Sequence, residues 1–117
     1  MRSIGTRVLP LFGIFCTIFT HAQAQSYPVK PLKIVIDTAP GGITDILGRL
    51  SADGLTQRLG QQVIAENRAG ASGVLALDHV AKSTPDGYTM LFAAGGHIVV
   101  HPFMSRKLPY DPLTDIV

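Results

Sequence analysis

The chain alternates short apolar runs with longer segments of helical periodicity, and a glycine-bearing loop follows each apolar run. The runs that predict strands cover residues 32–37, 62–66 and 88–94, and the helical segments cover residues 44–59 and 74–82. A strand, helix, strand, helix, strand order requires right-handed crossovers and gives parallel strands covered by helices. The sequence therefore predicts an α/β fold with a parallel sheet.

The first predicted helix carries apolar residues mostly three and four positions apart, which is typical of an amphipathic helix. We expect this stripe to face the core, and it consists of Ile43, Ile46, Leu47, Leu50, Leu55 and Leu59. Thr44 or Asp45 is expected to cap the N-terminus of the helix. Gly48 and Gly54 each cost up to about 1 kcal/mol relative to alanine, which predicts a less regular helix.

The N-terminus has the three-part order of a secretory signal peptide. Two arginines precede the apolar run 8–19, and Ala22 and Ala24 form the small-x-small pattern of a cleavage site. A run this short does not cross a bilayer, since a spanning helix needs about 20 apolar residues. Cys16 lacks the preceding small residue of a lipoprotein signal. We expect cleavage after Ala24, with residues 1–24 as the signal peptide and a periplasmic product.

The charge balance changes when this segment is removed. Arg2 and Arg7 are two of the ten basic residues, so the rest of the chain has as many basic as acidic residues, of which there are eight. It has no Lys/Arg cluster that could neutralise a row of phosphates, which argues against a nucleic-acid partner. Because Cys16 is the single cysteine, the mature chain has no disulfide, thiolate nucleophile or cysteine metal ligand.

The loops after the three strands bring glycine and small polar residues to one edge of the predicted sheet. They contain Gly41 and Gly42, then Ala71, Ser72 and Gly73, then Gly95, Gly96 and His97. Ligands of open parallel sheets bind outside the carboxyl ends of the strands. Glycine lets a ligand approach backbone N–H groups, and a helix N-terminus attracts an anion. The pattern predicts an anion site, the alternative being glycines that serve only tight turns.

Nucleotide-binding signatures are absent from the sequence. There is no G-x-x-x-x-G-K motif and no G-x-G-x-x-G motif after the first strand. A carboxylate therefore fits the predicted anion site better than a nucleotide phosphate does.

Five short motifs follow one another in a fixed order. They are APGGITD at 39–45, QRLGQQV at 57–63, ENRAGASG at 66–73, PDGYT at 85–89 and LPYDP at 108–112. In order and spacing they resemble the Bug-type extracytoplasmic solute receptors of the tripartite tricarboxylate transporter family. The resemblance implies a longer, two-domain periplasmic receptor that closes over a small carboxylate. Residues 25–117 would then be the N-terminal portion of its first solute-binding domain, an incomplete periplasmic-binding-protein-like domain.

The resemblance also implies site residues and partners. Ligand contacts would come from Gly41, Gly42, Thr44, Asp45, Ala71, Ser72, Gly73, Gly95, Gly96 and His97. The partners would be the carboxylate and the membrane components of the transporter, and no cofactor is implied. Asp37 stands where the family usually has an uncharged residue, and Ala69 replaces a common proline. The third loop also lacks the usual small hydroxyl residue, so the identity of the carboxylate stays open.

Other interpretations rest on the same residues. Ser72, His97 and Asp45 could serve a small secreted hydrolase, which needs a hydrogen-bonded nucleophile and base. His97 and His101 are four apart, but the residues between them disfavour a helix and no third ligand is evident, so a metal site is not expected. A further alternative is a truncated, non-functional remnant of such a receptor.

Overall fold

The computed structural model describes residues 26–105 and 107–116, and the predicted signal peptide lies outside them. Three strands form one parallel sheet: β1 (Leu32–Ile36), β2 (Val63–Asn67) and β3 (Thr89–Phe92). The strand order is β2-β1-β3, so the first strand of the chain is the central one. This confirms the predicted α/β architecture with a parallel sheet.

The first strand supplies most of the core because both of its faces are covered. Leu32, Ile34 and Ile36 alternate onto one face, where they pack with Ala52 and Val63. Val35 lies on the opposite face and is fully buried. A strand buried on both faces explains the continuous apolar run in the sequence.

Helix α1 (Ile43–Leu59) covers the face that carries Ile34 and Ile36. It begins after Gly42, so the prediction that Thr44 or Asp45 would be the N-cap is wrong. It ends at Gly60, whose positive φ of 65° is a common helix-terminating conformation for glycine. Gly48 leaves the helix regular and lets it approach the sheet, since a Cβ there would lie 2.8 Å from Cδ1 of Ile36.

The apolar stripe predicted to face the core mostly faces solvent instead. Ile43 is 70% exposed and Leu50 67% exposed, whereas Asp45, Gly48 and Ala52 are buried. These three residues also follow spacings of three and four, so the helix has two periodic stripes. The small stripe contacts the sheet because it permits close approach, and the large apolar stripe is left outside.

The opposite face of the sheet is covered by helix α2 (Val74–Ala81) through the buried residues Ala76 and Leu77. After β3 the chain enters two short helices, α3 (Gly95–Val99) and α4 (His101–Met104), joined at Val100 in helical conformation. The prediction that this segment would not be helical is therefore wrong. None of the helices in the described residues is long and apolar enough to cross a membrane.

Candidate functional site

The three predicted loops meet at one edge because the strands end in register. Ile36 at the end of β1 pairs with Asn67 at the end of β2 and with Phe92 at the end of β3. The loops that follow therefore leave the sheet at the same level. This is the carboxyl edge, where open parallel sheets bind their ligands.

The glycines of the first and third loops have open space around them. A Cβ at Gly41, Gly95 or Gly96 would meet no atom within 4 Å, and one at Gly42 would meet only the Ala39 carbonyl oxygen at 3.8 Å. Gly41 also has a φ of 90°, which glycine adopts without strain. The backbone at these positions is therefore open to a small molecule.

Asp45 holds the first loop in place from the first turn of α1. The backbone N–H of Gly41 donates to its Oδ2 at 2.9 Å, and its Oδ1 accepts from Asn67 Nδ2 at 2.8 Å and Arg49 Nε at 3.0 Å. Asn67 Nδ2 also donates to the carbonyl oxygen of Thr38 at 3.0 Å. The network ties the end of β2 to the loop after β1 and uses both carboxylate oxygens.

These contacts favour the ionised form of Asp45. The hydrogen bond from Gly41, then those from Asn67 and Arg49, lower the pKa of Asp45 from its ordinary 3.8 to about 2. Asn67 was not predicted as a site residue, because only the folded chain brings the end of β2 beside the first turn of α1. Arg49 was also missed, although its position four residues after Asp45 on one helix was a sequence signal for the pair. The contact of Asp45 with a ligand stays a prediction.

The second loop has an unusual backbone. Gly70, Ala71, Ser72 and Gly73 all have positive φ, at 137°, 47°, 52° and 89°. Left-handed conformations cost non-glycine residues roughly 1–2 kcal/mol each, and such strain concentrates at functional sites. The strained turn brings Ala71 and Ser72 to the carboxyl edge as predicted, with Gly73 buried beneath them.

Gly73 is buried because His97 of the third loop packs on it. A Cβ at residue 73 would lie 2.6 Å from His97 Nδ1 and 3.2 Å from Asp37 Oδ2. His97 Nδ1 and Asp37 Oδ2 are 2.7 Å apart, and the backbone N–H of Ala94 donates to the same oxygen at 3.0 Å. Asp37, directly after β1, is thus bonded to the third loop and lies beside Gly73 of the second. Its charge at the end of an apolar strand was the sequence signal for this role.

The geometry does not support the hydrolase alternative. His97 pairs with Asp37, and Asp45 pairs with Arg49 and Asn67. Within the part of the chain that the structure describes, no hydrogen bond joins Ser72 to His97. His97 and His101 have ring centroids 5.8 Å apart, and no group of three or more potential metal ligands occurs among residues 26–105 and 107–116.

Two surface cavities have linings that do not include the glycines of the three loops. One, of about 450 Å³, is lined by Arg68 and Ala69 directly after β2 and by residues of α2. The other, of about 710 Å³, is lined by the C-terminal end of α2, the turn before β3 and residues 114–116. It lies at the amino end of β3, opposite the glycine loops. The edge is open around the glycines of the first and third loops, as expected for loops that would enclose a ligand only together with a facing surface.

Comparison with known proteins gives consistent matches. The model of the tripartite tricarboxylate transporter family receptors, TctC, matches residues 47–117. Protein BugT of Bordetella pertussis is 39% identical over 116 residues, covering 96% of this chain and 36% of the relative. The structure of periplasmic binding protein BugD superimposes with a TM-score of 0.72 at 35% identity, covering 76% of this chain and 29% of that one.

A second solved structure carries a ligand. MatC from Rhodopseudomonas palustris with bound malate superimposes with a TM-score of 0.69 at 36% identity, covering 76% of this chain and 30% of that one. The chain spans only 28% to 36% of the lengths of the first curated relatives it matches. The family match covers more than half of the chain, and the relatives and structures agree with it. The chain belongs to the family of tripartite tricarboxylate transporter receptors.

Proposed function

We propose that the chain forms one wall of a periplasmic receptor for a small carboxylate that feeds a tripartite tricarboxylate-type secondary transporter. The observation that carries this proposal is the convergence of three loops at the carboxyl edge, with open backbone at Gly41, Gly42, Gly95 and Gly96. Malate bound to a related receptor supports the ligand class. Residues 25–117 would be the N-terminal portion of the first domain.

The ligand would contact the wall mainly through backbone groups. Gly41, Gly42 and Thr44 would contribute from the first loop, held in place by Asp45, and Ala71, Ser72 and Gly73 from the second. Gly95, Gly96 and His97 would contribute from the third. Backbone N–H groups and hydroxyls suit a carboxylate because each donates to an oxygen of the anion. The proposed activity is binding and delivery to membrane partners, without a chemical reaction.

The test is a titration of the full chain with succinate, followed by amide NMR shifts. Because the 117 residues on their own would supply one wall of the proposed site, we expect them to bind with affinity in the millimolar range, since pockets normally bury most of a small ligand. Gly42→Val should weaken binding at least about tenfold by blocking the backbone, with little effect on folding because Gly42 has an extended φ of −81° and open space.

Gly54→Val is the matched control. It introduces the same side chain into open space within α1, away from the carboxyl edge, and should leave the succinate shifts unchanged. If Gly42→Val folds and binds succinate as the unaltered chain does, the site lies elsewhere.

A further inference from the structure

The carboxylate of Asp37 is a buried acid at the edge where the ligand is proposed to bind. Asp37 is 2% exposed, and its Oδ2 receives the hydrogen bonds from Ala94 and His97. Its Oδ1 is buried and has no hydrogen-bond partner in the described residues. A buried carboxylate costs several kcal/mol unless it is paired. Within residues 26–105 and 107–116, His97 is the one basic side chain within ion-pair distance of it.

His97 is oriented by this contact. Its Nδ1 points to Asp37 at 2.7 Å, so the proton on that nitrogen is held by the carboxylate and Nε2 is left for another partner. Nε2 makes no hydrogen bond to the described residues and is not buried, and the side chain is 28% exposed. Asp37 and His101, whose ring centroid is 5.8 Å from that of His97, are the titratable groups that face the imidazole.

The role of Nε2 depends on the charge of the ring. When His97 is protonated, Nε2–H is a charged donor that suits a carboxylate oxygen. When His97 is neutral and Asp37 holds the Nδ1 proton, Nε2 has only a lone pair and repels a carboxylate. The buried charge of Asp37 is balanced only in the first state.

We propose that Asp37 is a positioning residue that aims the Nε2–H of protonated His97 at a carboxylate of the ligand, so that ligand binding is lost as His97 loses its proton. This inference rests on the proposed function, because it assigns a specific donor and a pH response to the same site. It also explains why an acid and a histidine occur together in this chain at positions contributed by different loops.

Two substitutions of His97 distinguish the roles of its two ring nitrogens. The amide nitrogen of His97→Gln can take the place of Nε2, whereas that of His97→Asn can take the place of Nδ1 only. The full chain is titrated with succinate between about pH 6.5 and pH 8.5, a range that runs upward from the ordinary pKa of histidine, about 6.5. Succinamide serves as the uncharged control, and amide NMR shifts report binding.

The unaltered chain should lose about tenfold in succinate affinity across this range, the size expected for a hydrogen bond to a charged group. His97→Gln should bind with little pH dependence, and His97→Asn should bind weakly throughout. A His101→Gln variant should keep the pH response, which assigns the titration to His97. Equal pH profiles for the unaltered chain and His97→Gln would overturn the proposal.

The positioning role of Asp37 is tested by determining which nitrogen of the His97 imidazole carries the proton. Nitrogen NMR shifts of neutral His97 should show the proton on Nδ1 in the unaltered chain and in Asp37→Asn, which keeps an acceptor. In Asp37→Leu the proton should move to Nε2. If Asp37→Leu does not fold, Gly73→Ala tests the same contact, because its Cβ displaces the His97 ring. An unchanged tautomer in a folded variant contradicts the role of Asp37.

The outcomes distinguish the two proposals. Succinate shifts at Gly42 and Ser72 without a response from His97 would leave the proposed function standing and refute this inference. If succinate moves no amide at the three loops at millimolar concentration, the proposed function fails and this inference fails with it.

Discussion

Asp45 illustrates how one side chain can hold a loop of the proposed site in place. It joins the backbone of Gly41 in the first loop to Asn67 at the end of β2 and to Arg49 one turn further along α1. Its sequence position predicts only that it lies near a helix start. Arg49 and Gly41 are each four residues away in sequence, but the contact with Asn67 depends on the pairing of β2 with β1, which no local pattern reveals. The sequence could therefore identify the loop but not the network that shapes it.

Acid should weaken the fold through Asp45. Its pKa is lowered from 3.8 to about 2 in the folded chain, so its ionised form stabilises the fold above the ordinary value. That contribution is lost as the pH falls from about 4 through about 2. In Asp45→Asn the free energy of unfolding should fall less between these pH values, as measured by urea unfolding followed by circular dichroism.

Asp53→Asn is the matched control for this acid response. Asp53 lies on the same helix and is exposed, and it makes no ion pair or hydrogen bond within the described residues. Its substitution should leave the pH dependence of the unaltered chain in place. The role assigned to the Asp45 network would be contradicted if the free energy of unfolding of Asp53→Asn no longer fell in acid. It would also be contradicted if that of Asp45→Asn fell as much as in the unaltered chain.

At the scale of elements, the strands and long helices could be predicted to within about two residues at each end, because their periodicity is strong. Which face of α1 packs against the sheet could not be predicted. Two stripes with helical spacing compete for the sheet, and the smaller side chains, Gly48 and Ala52, contact it because they allow close approach. The short helices α3 and α4 were missed because β-branched residues and Pro102 weaken their local helical signal.

The apolar stripe of α1 that faces solvent is a surface through which copies of the chain can associate. Ile43, Ile46, Leu47 and Leu50 are all exposed on one helix, and contiguous exposed apolar surface favours association. We expect the full chain to self-associate as its concentration rises. The double substitution Leu47→Lys and Leu50→Lys should shift it toward monomer, as measured by size-exclusion chromatography with light scattering.

Leu113→Lys is the control for this surface. Leu113 is as apolar and more exposed, at 86%, but lies outside α1. This variant should associate as the unaltered chain does. If the α1 variant associates equally strongly, another surface, such as an open strand edge of the sheet, drives the contact.

At the scale of the whole molecule, the family and fold were predicted from the order of short motifs and confirmed by the comparisons. The extent of the site could not be predicted in the same way, since a chain that spans 28% to 36% of its relatives presents one wall. Which carboxylate would bind depends on surfaces contributed from outside these residues.

Export is the prediction that belongs to this scale. The charged, apolar and Ala-x-Ala segments at the N-terminus predict cleavage after Ala24. Mass spectrometry of the periplasmic fraction should show a product that begins at Gln25. Ala24→Arg, which removes the small residue at the cleavage site, should leave the precursor uncleaved. A product that keeps Met1 in the unaltered chain would contradict the signal peptide.

The central position of β1 sets the order in which the chain can become ordered after synthesis. The first strand to leave the ribosome needs partners on both sides, and Lys33 does not meet Thr89 until the third strand has emerged. Such distant pairing is slow because a long loop must close first. The sheet therefore cannot be completed until residues 89–92 have been synthesised, and we expect β1 to lack a partner on that side until then.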